Sequence, residues 1–272
     1  MKTRSERQHE HDAEQRQAPP GKVVYRAIYR EGMEELSRSA GPLWWSGIAA
    51  GLAMGMSLVV EALLRSHLPD AAWRPLVAKL GYGAGFLIVI LGRQQLFTEN
   101  TLTVILPLLR VWSGGVLVNV IRLWTVVLAA NVVGAAAFAV AIVHLPVLDD
   151  SVERAALDIA FEAMRPGPFG IFVRGIFAGW LIAIMVWLLP FAESGRVAVI
   201  MLVTYMVGLA GFSHVIAGSV EVFTLATSGL VPWWQAFAFY TLPALAGNTL
   251  GGVALVAALS HAQFVEGEDV LL

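Results

Sequence analysis

The feature that most constrains this chain is a series of six apolar stretches, two of which are too long for one helix. They run at about 43–66, 76–109, 121–145, 168–192, 196–231 and 233–260. A membrane-spanning helix needs about 20 apolar residues. Only 14% of the residues are charged, against roughly 25% in an ordinary soluble domain. This pattern excludes a disordered chain, a nucleic-acid-binding protein and a normal cytosolic globule, and it predicts a multi-span protein of the lipid bilayer.

The second and fifth stretches are each interrupted by polar residues. The interruptions read GRQQLFTEN at 92–100 and GFSHVIAGS at 211–219. We interpret each stretch as two half-helices joined by a non-helical loop at membrane depth. Such a loop is tolerated only where it is buried in protein or lines a water-filled cavity. Paired broken helices therefore indicate a transport site.

The two halves of the chain resemble each other. Asn131-Val-Val-Gly134 in the third stretch matches Asn248-Thr-Leu-Gly251 in the sixth, and the same separation places Phe97 on His214. GIAAG in the first stretch matches GIFAG in the fourth. Each half has three spans, an odd number, so the halves insert in opposite senses. The fold class predicted is an all-α membrane protein with six transmembrane helices in an inverted 3+3 repeat, with helices 2 and 5 broken and facing each other.

Charge and polarity divide the chain into three parts. Residues 1–42 are a polar tail with a surface helix over 22–39, residues 43–264 are the six-span domain, and residues 265–272 are an acidic tail. Lys and Arg are concentrated in the N-terminal tail and in the loops on its side of the membrane. Basic residues favour the cytoplasmic side, so both termini are predicted to be cytoplasmic in a bacterial inner membrane.

Ionisable side chains at membrane depth are functional candidates because they are costly to bury. His214 is either a structural histidine bonded to a backbone carbonyl or a proton donor and acceptor on the permeation path, since histidine titrates near physiological pH. Glu99 either pairs with Arg93, six residues earlier, to hold the first loop, or lines the pore. Glu221 is placed in the inner vestibule.

Several chemistries lack the residues they need. The chain has no cysteine, and it shows no metal-binding motif, phosphate-binding loop or nucleophile motif. Ser213 is adjacent to His214, and neighbouring residues seldom point at one another. We therefore expect no cofactor, no metal and no nucleic-acid partner, and we do not expect a membrane enzyme that uses His214 and Glu99 as acid and base.

Five segments together resemble the formate/nitrite transporter family and, within it, the YfdC-like branch. They are LFTEN (96–100), ANVVGA (130–135), RGIFAGWL (174–181), GFSHVIA (211–217) and AGNTLGG (246–252). The resemblance covers about 24–260. It implies an aquaporin-like fold and a homopentamer with one pore in each protomer, which conducts a small monocarboxylate or inorganic anion together with protons.

The resemblance also implies roles for individual residues. His214 is the family's central histidine and Thr98 its loop threonine, with Glu99 and Asn100 beside them. The resemblance implies an inner constriction of Leu96 and Phe97 and an outer constriction of Tyr82, Phe86 and Val207. The polar loops and the repeat, considered by themselves, add four residues that support the loops: Arg93, Ser213, Asn131 and Asn248.

The sequence departs from the family pattern at two of the positions that bear on the substrate. Glu99 replaces a small residue after Thr98, and Gly179 stands where many members have an asparagine that helps to hold the central histidine. An ionised Glu99 would repel formate or nitrite unless Arg93 neutralises it. A pore for small neutral solutes and a closed accessory protein therefore remain alternatives to an anion pore with proton exchange at His214.

Overall fold

The computed structural model describes residues 20–265, and these are almost entirely helical, with no strand among them. The predictions for residues 1–19 and for nearly all of the acidic tail lie outside the described residues. A helix, α1, spans Gly21–Ser37, where the sequence predicts a surface helix over 22–39.

The first half contains one unbroken span, one broken span and a second unbroken span. Its elements are α2 (Ala40–His67), α3 (Arg74–Ala78), a 3₁₀ turn (Lys79–Tyr82), α4 (Gly83–Leu91), α5 (Asn100–Thr103), α6 (Ile105–Arg110) and α7 (Gly114–His144). The first break therefore lies between α4 and α5, as the polar stretch at 92–100 predicted.

The second half repeats this order after a connecting helix. Its elements are α8 (Asp150–Met164), α9 (Gly167–Leu188), 3₁₀ turns at Leu189–Phe191 and Glu193–Gly195, α10 (Arg196–Leu209), α11 (Val215–Thr227), α12 (Trp233–Ala236), a π-helical turn (Phe237–Thr241), α13 (Leu242–Gly252), a second π-helical segment (Val253–Ala258) and α14 (Leu259–Val265). The second break lies between α10 and α11.

Four helical segments are long and apolar enough to cross a membrane by themselves: Ala40–His67, Arg74–Leu91, Gly114–His144 and Gly167–Phe191. The remaining two predicted spans are divided. The fifth consists of the shorter helices α10 and α11, and the sixth is interrupted by its π-helical segments.

Both broken helices end in the same way. Arg93 and Gly211 have positive φ, at 51° and 64°. The next N–H reaches back over the end of the helix in each case, from Gln94 to the Val89 carbonyl and from Phe212 to the Val207 carbonyl, at 2.9 and 3.0 Å. These bonds satisfy carbonyls that a helix end leaves without partners. The first half makes this cap with an arginine in a conformation that favours glycine.

Glycines bring the scaffold helices of each half into backbone contact. A Cβ on Gly51 of α2 would collide with the Asn131 carbonyl of α7, and a Cβ on Gly179 of α9 would collide with the backbone of Asn248 in α13. The α2/α7 and α9/α13 pairs are the two most extensive helix contacts of the fold. Each half thus has a rigid two-helix wall from which its broken helix is supported.

Candidate functional site

Asn131 of α7 holds the first break to the wall formed by α2 and α7. The asparagine is fully buried. Its Oδ1 accepts the N–H of Phe97 at 2.9 Å, and its Nδ2 donates to the carbonyls of Gly47 and Gln95, both at 2.8 Å. Three hydrogen bonds from one side chain therefore fix the backbone on both sides of Leu96.

Asn248 of α13 holds the second break with the same pattern. It is also fully buried. Its Oδ1 accepts the N–H of Val215 at 2.8 Å, and its Nδ2 donates to the carbonyls of Gly175 and Ser213 at 2.9 and 2.8 Å. The residue between the two held backbone groups is His214.

These two asparagines correct the residue correspondence between the halves. The sequence comparison paired Phe97 with His214, whereas the hydrogen bonds pair Leu96 with His214. The shift is one residue. It arises because Leu96 and His214 are one residue further apart in the sequence than Asn131 and Asn248 are. The two breaks therefore present an apolar and an ionisable side chain at equivalent positions.

The two breaks meet through Thr98 and His214. Both side chains are fully buried, and Thr98 Oγ1 lies 2.8 Å from His214 Nε2. His214 is also the N-cap of α11, because its Nδ1 accepts the N–H of Ala217 at 3.2 Å. A ring nitrogen that accepts an N–H carries no proton, so the proton of the neutral ring is on Nε2 and is donated to Thr98. The Thr98 hydroxyl proton is then left for another acceptor.

Aromatic rings pack around this contact. Phe86 meets His214 edge to face with centroids 4.9 Å apart, and Tyr82 packs on Phe86 at 5.5 Å. Phe97 packs on Trp124 of α7 at 5.5 Å. The residues named from the sequence as constrictions are all buried, with Leu96, Phe86 and Val207 fully enclosed. The Thr98–His214 contact thus lies in dry surroundings.

Two cavities approach this contact, one reaching each break. The α1-side cavity has a volume of about 810 Å³ and is lined by α1 together with Arg93, Gln95 and Glu99 of the first break. The α8-side cavity has a volume of about 550 Å³ and is lined by α8 together with residues 210–213 of the second break and Tyr82. Neither cavity reaches Thr98 or His214.

The predicted ion pair between Glu99 and Arg93 is absent from the described part of the chain. Both residues line the α1-side cavity. The charged groups that interact electrostatically with the Glu99 carboxyl group are Glu31, Glu35 and Arg196. Arg93 interacts electrostatically with Glu31 of α1 instead. The left-handed backbone of Arg93 changes the direction in which the chain leaves the helix, so the six-residue spacing did not bring the two side chains together.

From the sequence, Glu221 is expected in the inner vestibule, which is the α1 side if both termini are cytoplasmic. Its carboxylate lines the α8-side cavity, on the side opposite α1. Glu221 follows His214 by two helical turns on α11, and α11 runs from the centre away from α1. The direction of the half-helix after the break decides the side, and this direction follows from the inverted repeat.

Three polar residues of the site were not identified from the sequence. Gln95 donates to Glu35 of α1 at 2.9 Å, and its Oε1 accepts from Asn100 at 3.1 Å. Trp124 Nε1 donates to the Asn100 carbonyl at 3.1 Å. Tyr240, in the π-helical turn, lines the α8-side cavity. The first two were detectable from the polar loop and the repeat, but a π-helical turn leaves no clear pattern in one sequence.

Within residues 20–265, no group of three or more His, Cys, Asp or Glu side chains is arranged to hold a metal ion.

Residues 22–262 match the family described as formate/nitrite transporter. The chain is 39% identical over 241 residues to the inner membrane protein YfdC of Escherichia coli strain K12, covering 89% of this chain and 78% of the relative. It is 26% identical over 179 residues to the uncharacterized transporter YwcJ of Bacillus subtilis strain 168, covering 62% and 68%.

Two solved structures share the fold. A structure described as a pentameric formate channel with formate bound superposes with a TM-score of 0.67 at 20% identity, covering 83% of this chain and 98% of that one. A structure described as an FNT family ion channel gives a TM-score of 0.66 at 22% identity, covering 87% and 96%. At this level of identity the superpositions establish the fold alone.

Proposed function

Because this chain belongs to the formate/nitrite transporter family, a family of channels and transporters rather than enzymes, we propose that it forms an inner-membrane pore for formate, nitrite or a similar small weak acid. The observation that carries the proposal is the Thr98–His214 contact, which joins the two breaks between two cavities. A hydrogen-bonding pair in a dry constriction gives a small anion one polar partner at the point where it has lost its water.

The proposed mechanism is proton exchange at this contact. A bare monoanion is costly to place in apolar surroundings, whereas its conjugate acid is not. His214 Nε2 donates to Thr98, so the Thr98 hydroxyl donates to the arriving anion. Complete proton transfer requires a positively charged imidazole, whose Nδ1 loses its bond with the Ala217 N–H. The charge of the anion stabilises that state, so the proton is exchanged only while an anion occupies the constriction.

The apolar residues on either side complete the pore in this proposal. Leu96 and Phe97 form the constriction towards the α1-side cavity. Tyr82, Phe86 and Val207 form the constriction towards the α8-side cavity, where Tyr82 is part of the cavity wall. Asn131, Asn248 and Ser213 support the loops, because the two asparagines bind loop backbone and the Ser213 carbonyl is one of their partners.

We further propose a homopentamer with both termini in the cytoplasm. A pentameric relative shares the fold, and large apolar side chains such as Trp45, Trp112 and Phe169 are exposed on the protomer. Exposed apolar surface of this kind is covered by lipid or by neighbouring protomers. Native mass spectrometry in mild detergent tests the assembly, and a mainly monomeric or dimeric species contradicts it.

Glu99 sets the selectivity of the α1-side cavity in this proposal. Arg196 is the cation that interacts electrostatically with the Glu99 carboxyl group, and the negative charges of Glu31 and Glu35 oppose its effect. Since no ion pair neutralises Glu99 within the described residues, we expect Glu99→Gly to raise formate or nitrite flux while leaving oligomer size unchanged. Unchanged flux and selectivity of Glu99→Gly across a solute panel would mean that Glu99 does not set the selectivity of the pore.

The decisive experiment is an uptake panel in proteoliposomes with formate, nitrite, hydrosulfide, acetate, lactate, glycerol and water. We expect pH-dependent flux of small weak acids. Selective glycerol or water flux would favour a neutral-solute pore, and no flux would favour an accessory protein. His214→Phe should abolish weak-acid flux, and His214→Asn should leave flux without its pH dependence. Wild-type rate and pH profile in both variants would make His214 a structural residue.

A further inference from the structure

Glu221 is a buried acid that the mechanism above does not use. Its side chain is 8% exposed and lines the α8-side cavity. Within residues 20–265, its carboxylate makes neither an ion pair nor a hydrogen bond. Ionisable residues that face the interior of a membrane protein often mark proton pathways.

Three basic residues line the α8-side cavity together with Glu221: Lys79, Arg165 and Arg174. Among the described residues none of them forms an ion pair with Glu221, and Arg174 donates to the Gly211 carbonyl at 3.3 Å. Lys79 lies 2.5 Å from Glu61, and Arg65 lies 2.9 Å from Glu162. Lys79, Glu61 and Glu162 are the charged groups that act on Glu221 from the neighbouring elements. Because Lys79, the one base among these three groups, is already bound to Glu61, the Glu221 carboxylate has no ion-pair partner among the described residues.

The position of Glu221 on α11 relates it to the central histidine. His214 and Glu221 are seven residues apart, so they lie on the same face of the helix. The distance along the helix axis is about 10 Å. Gly218 lies between them on this face, and it has no side chain to fill the gap.

The Tyr240 hydroxyl occupies the space beside Gly218. A Cβ on Gly218 would coincide with the Tyr240 hydroxyl and its ring. The hydroxyl interacts with the Ser213 side chain, and Glu221 acts electrostatically on both Tyr240 and Tyr82. The π-helical turn at Phe237–Thr241 places Tyr240 here, and such turns are frequent at functional sites.

We propose that Glu221 and Tyr240 form a proton-delivery path on the α8 side of the constriction. Water in the α8-side cavity gives a proton to the Glu221 carboxylate. When a weak-acid anion arrives, Tyr240 gives its hydroxyl proton to the anion and receives one from Glu221 through water in the cavity that both residues line. The neutral acid moves on to Thr98 and His214, where the exchange proposed above removes its proton as it leaves towards the α1-side cavity, and Glu221 is left as a carboxylate that water protonates again. The same steps run backwards for a solute moving in the opposite direction.

A carboxylate in a pore for anions supports this assignment. An ionised acid repels an arriving anion of the same charge, whereas a protonated acid donates a hydrogen bond and then a proton. The inference rests on the proposed weak-acid pore, and it identifies the group that supplies the proton before the constriction is reached.

The test is the exchange of labelled formate across proteoliposomes with equal pH on both sides, measured over a series of pH values. For the wild type, we expect exchange at neutral pH to exceed what the concentration of undissociated formic acid in bulk water predicts. For Glu221→Gln, we expect the rate at neutral pH to fall at least about a hundredfold, the lower end of the range for loss of a positioned acid. Its rate should then follow the bulk concentration of formic acid.

Tyr240→Phe is the second variant, and it removes only the hydroxyl. We expect the same loss of rate and the same change in pH profile. Glu153→Gln and Tyr205→Phe are matched controls, because neither side chain lines the α8-side cavity. Size-exclusion chromatography verifies that each variant assembles.

The outcomes separate this inference from the proposed function. If the wild type exchanges no weak acid, the proposal of a weak-acid pore is wrong, and the proposed proton path is wrong as well. If the wild type exchanges formate and both site variants keep its rate and pH profile, the pore stands and the proton path is wrong. If only Glu221→Gln changes the profile, Tyr240 is not part of the path and the inference is overturned in this form.

Discussion

Removal of the Asn248 side chain tests the reasoning about the breaks most directly. Asn248→Ala eliminates three buried hydrogen bonds, to Val215, Gly175 and Ser213. Hydrogen bonds between membrane-embedded groups average about 0.6 kcal/mol and reach about 1.7 kcal/mol. Three such bonds therefore predict a loss of about 2–5 kcal/mol in the free energy of unfolding.

The repeat supplies an internal replicate. Asn131→Ala removes the same three kinds of bond from the first break. We therefore expect the two variants to lose similar amounts of stability. Asn119→Ala is the matched control, since Asn119 is an exposed residue of α7, and we expect a change within about 0.5 kcal/mol.

The assay is unfolding of the purified protein in mixed micelles with increasing SDS, monitored by circular dichroism. The reasoning is refuted if Asn131→Ala and Asn248→Ala are as stable as Asn119→Ala. It is also refuted if only one of the two loses stability, because both asparagines make equivalent bonds.

The remaining predictions concern packing, backbone strain and pH. Gly179→Asn, which restores the asparagine of many family members, should fail to assemble because even a Cβ collides with the backbone of α13. Gly114→Ala is the control, since nothing lies within 4 Å of an added Cβ, and it should assemble normally. Size-exclusion chromatography measures assembly for both variants. Arg93→Gly should raise the free energy of unfolding by about 1 kcal/mol, since a left-handed backbone costs a non-glycine residue roughly that much; a loss in the same SDS titration would mean that the Arg93 side chain contributes more than its backbone costs. Burial raises the pKa of Glu31 above its usual 4.5, although Arg93 opposes the shift. Docking of α1 should therefore weaken as pH rises from 4.5 through the raised pKa, and hydrogen exchange of α1, corrected for the intrinsic rate, should show this in the wild type and not in Glu31→Gln.

The sequence was sufficient to predict features that depend on composition and spacing. The two breaks, the surface helix and the unbroken spans follow from apolar length and its interruption. The family follows from five short segments, and the comparisons confirm it. The repeated NxxG pattern identified Asn131 and Asn248, although their hydrogen bonds to loop backbone could be seen only in three dimensions.

Features that depend on backbone direction were predicted less well. The sequence comparison was one residue out at the centre, because loop lengths differ slightly from helix spacings. The Glu99–Arg93 pair failed because a left-handed residue redirects the chain at Arg93. Glu221 lies on the α8 side, which differs from the placement that cytoplasmic termini imply, because the direction of α11 was not followed through the repeat. Tyr240 was missed because its position depends on a π-helical turn.

The way in which Asn131 and Asn248 hold the breaks has a consequence for how this architecture diversifies. Both asparagines bind backbone atoms flanking residue 96 or 214, and these hydrogen bonds do not involve the side chain between them. The residue at the centre of each half is therefore free of the constraint that maintains the loop. Duplicated halves can keep one scaffold while their central side chains diverge, here to leucine in one and histidine in the other. Substitution libraries confined to these two positions should thus explore new permeants while the loop backbone stays held, although at position 214 they also remove the N-cap of α11.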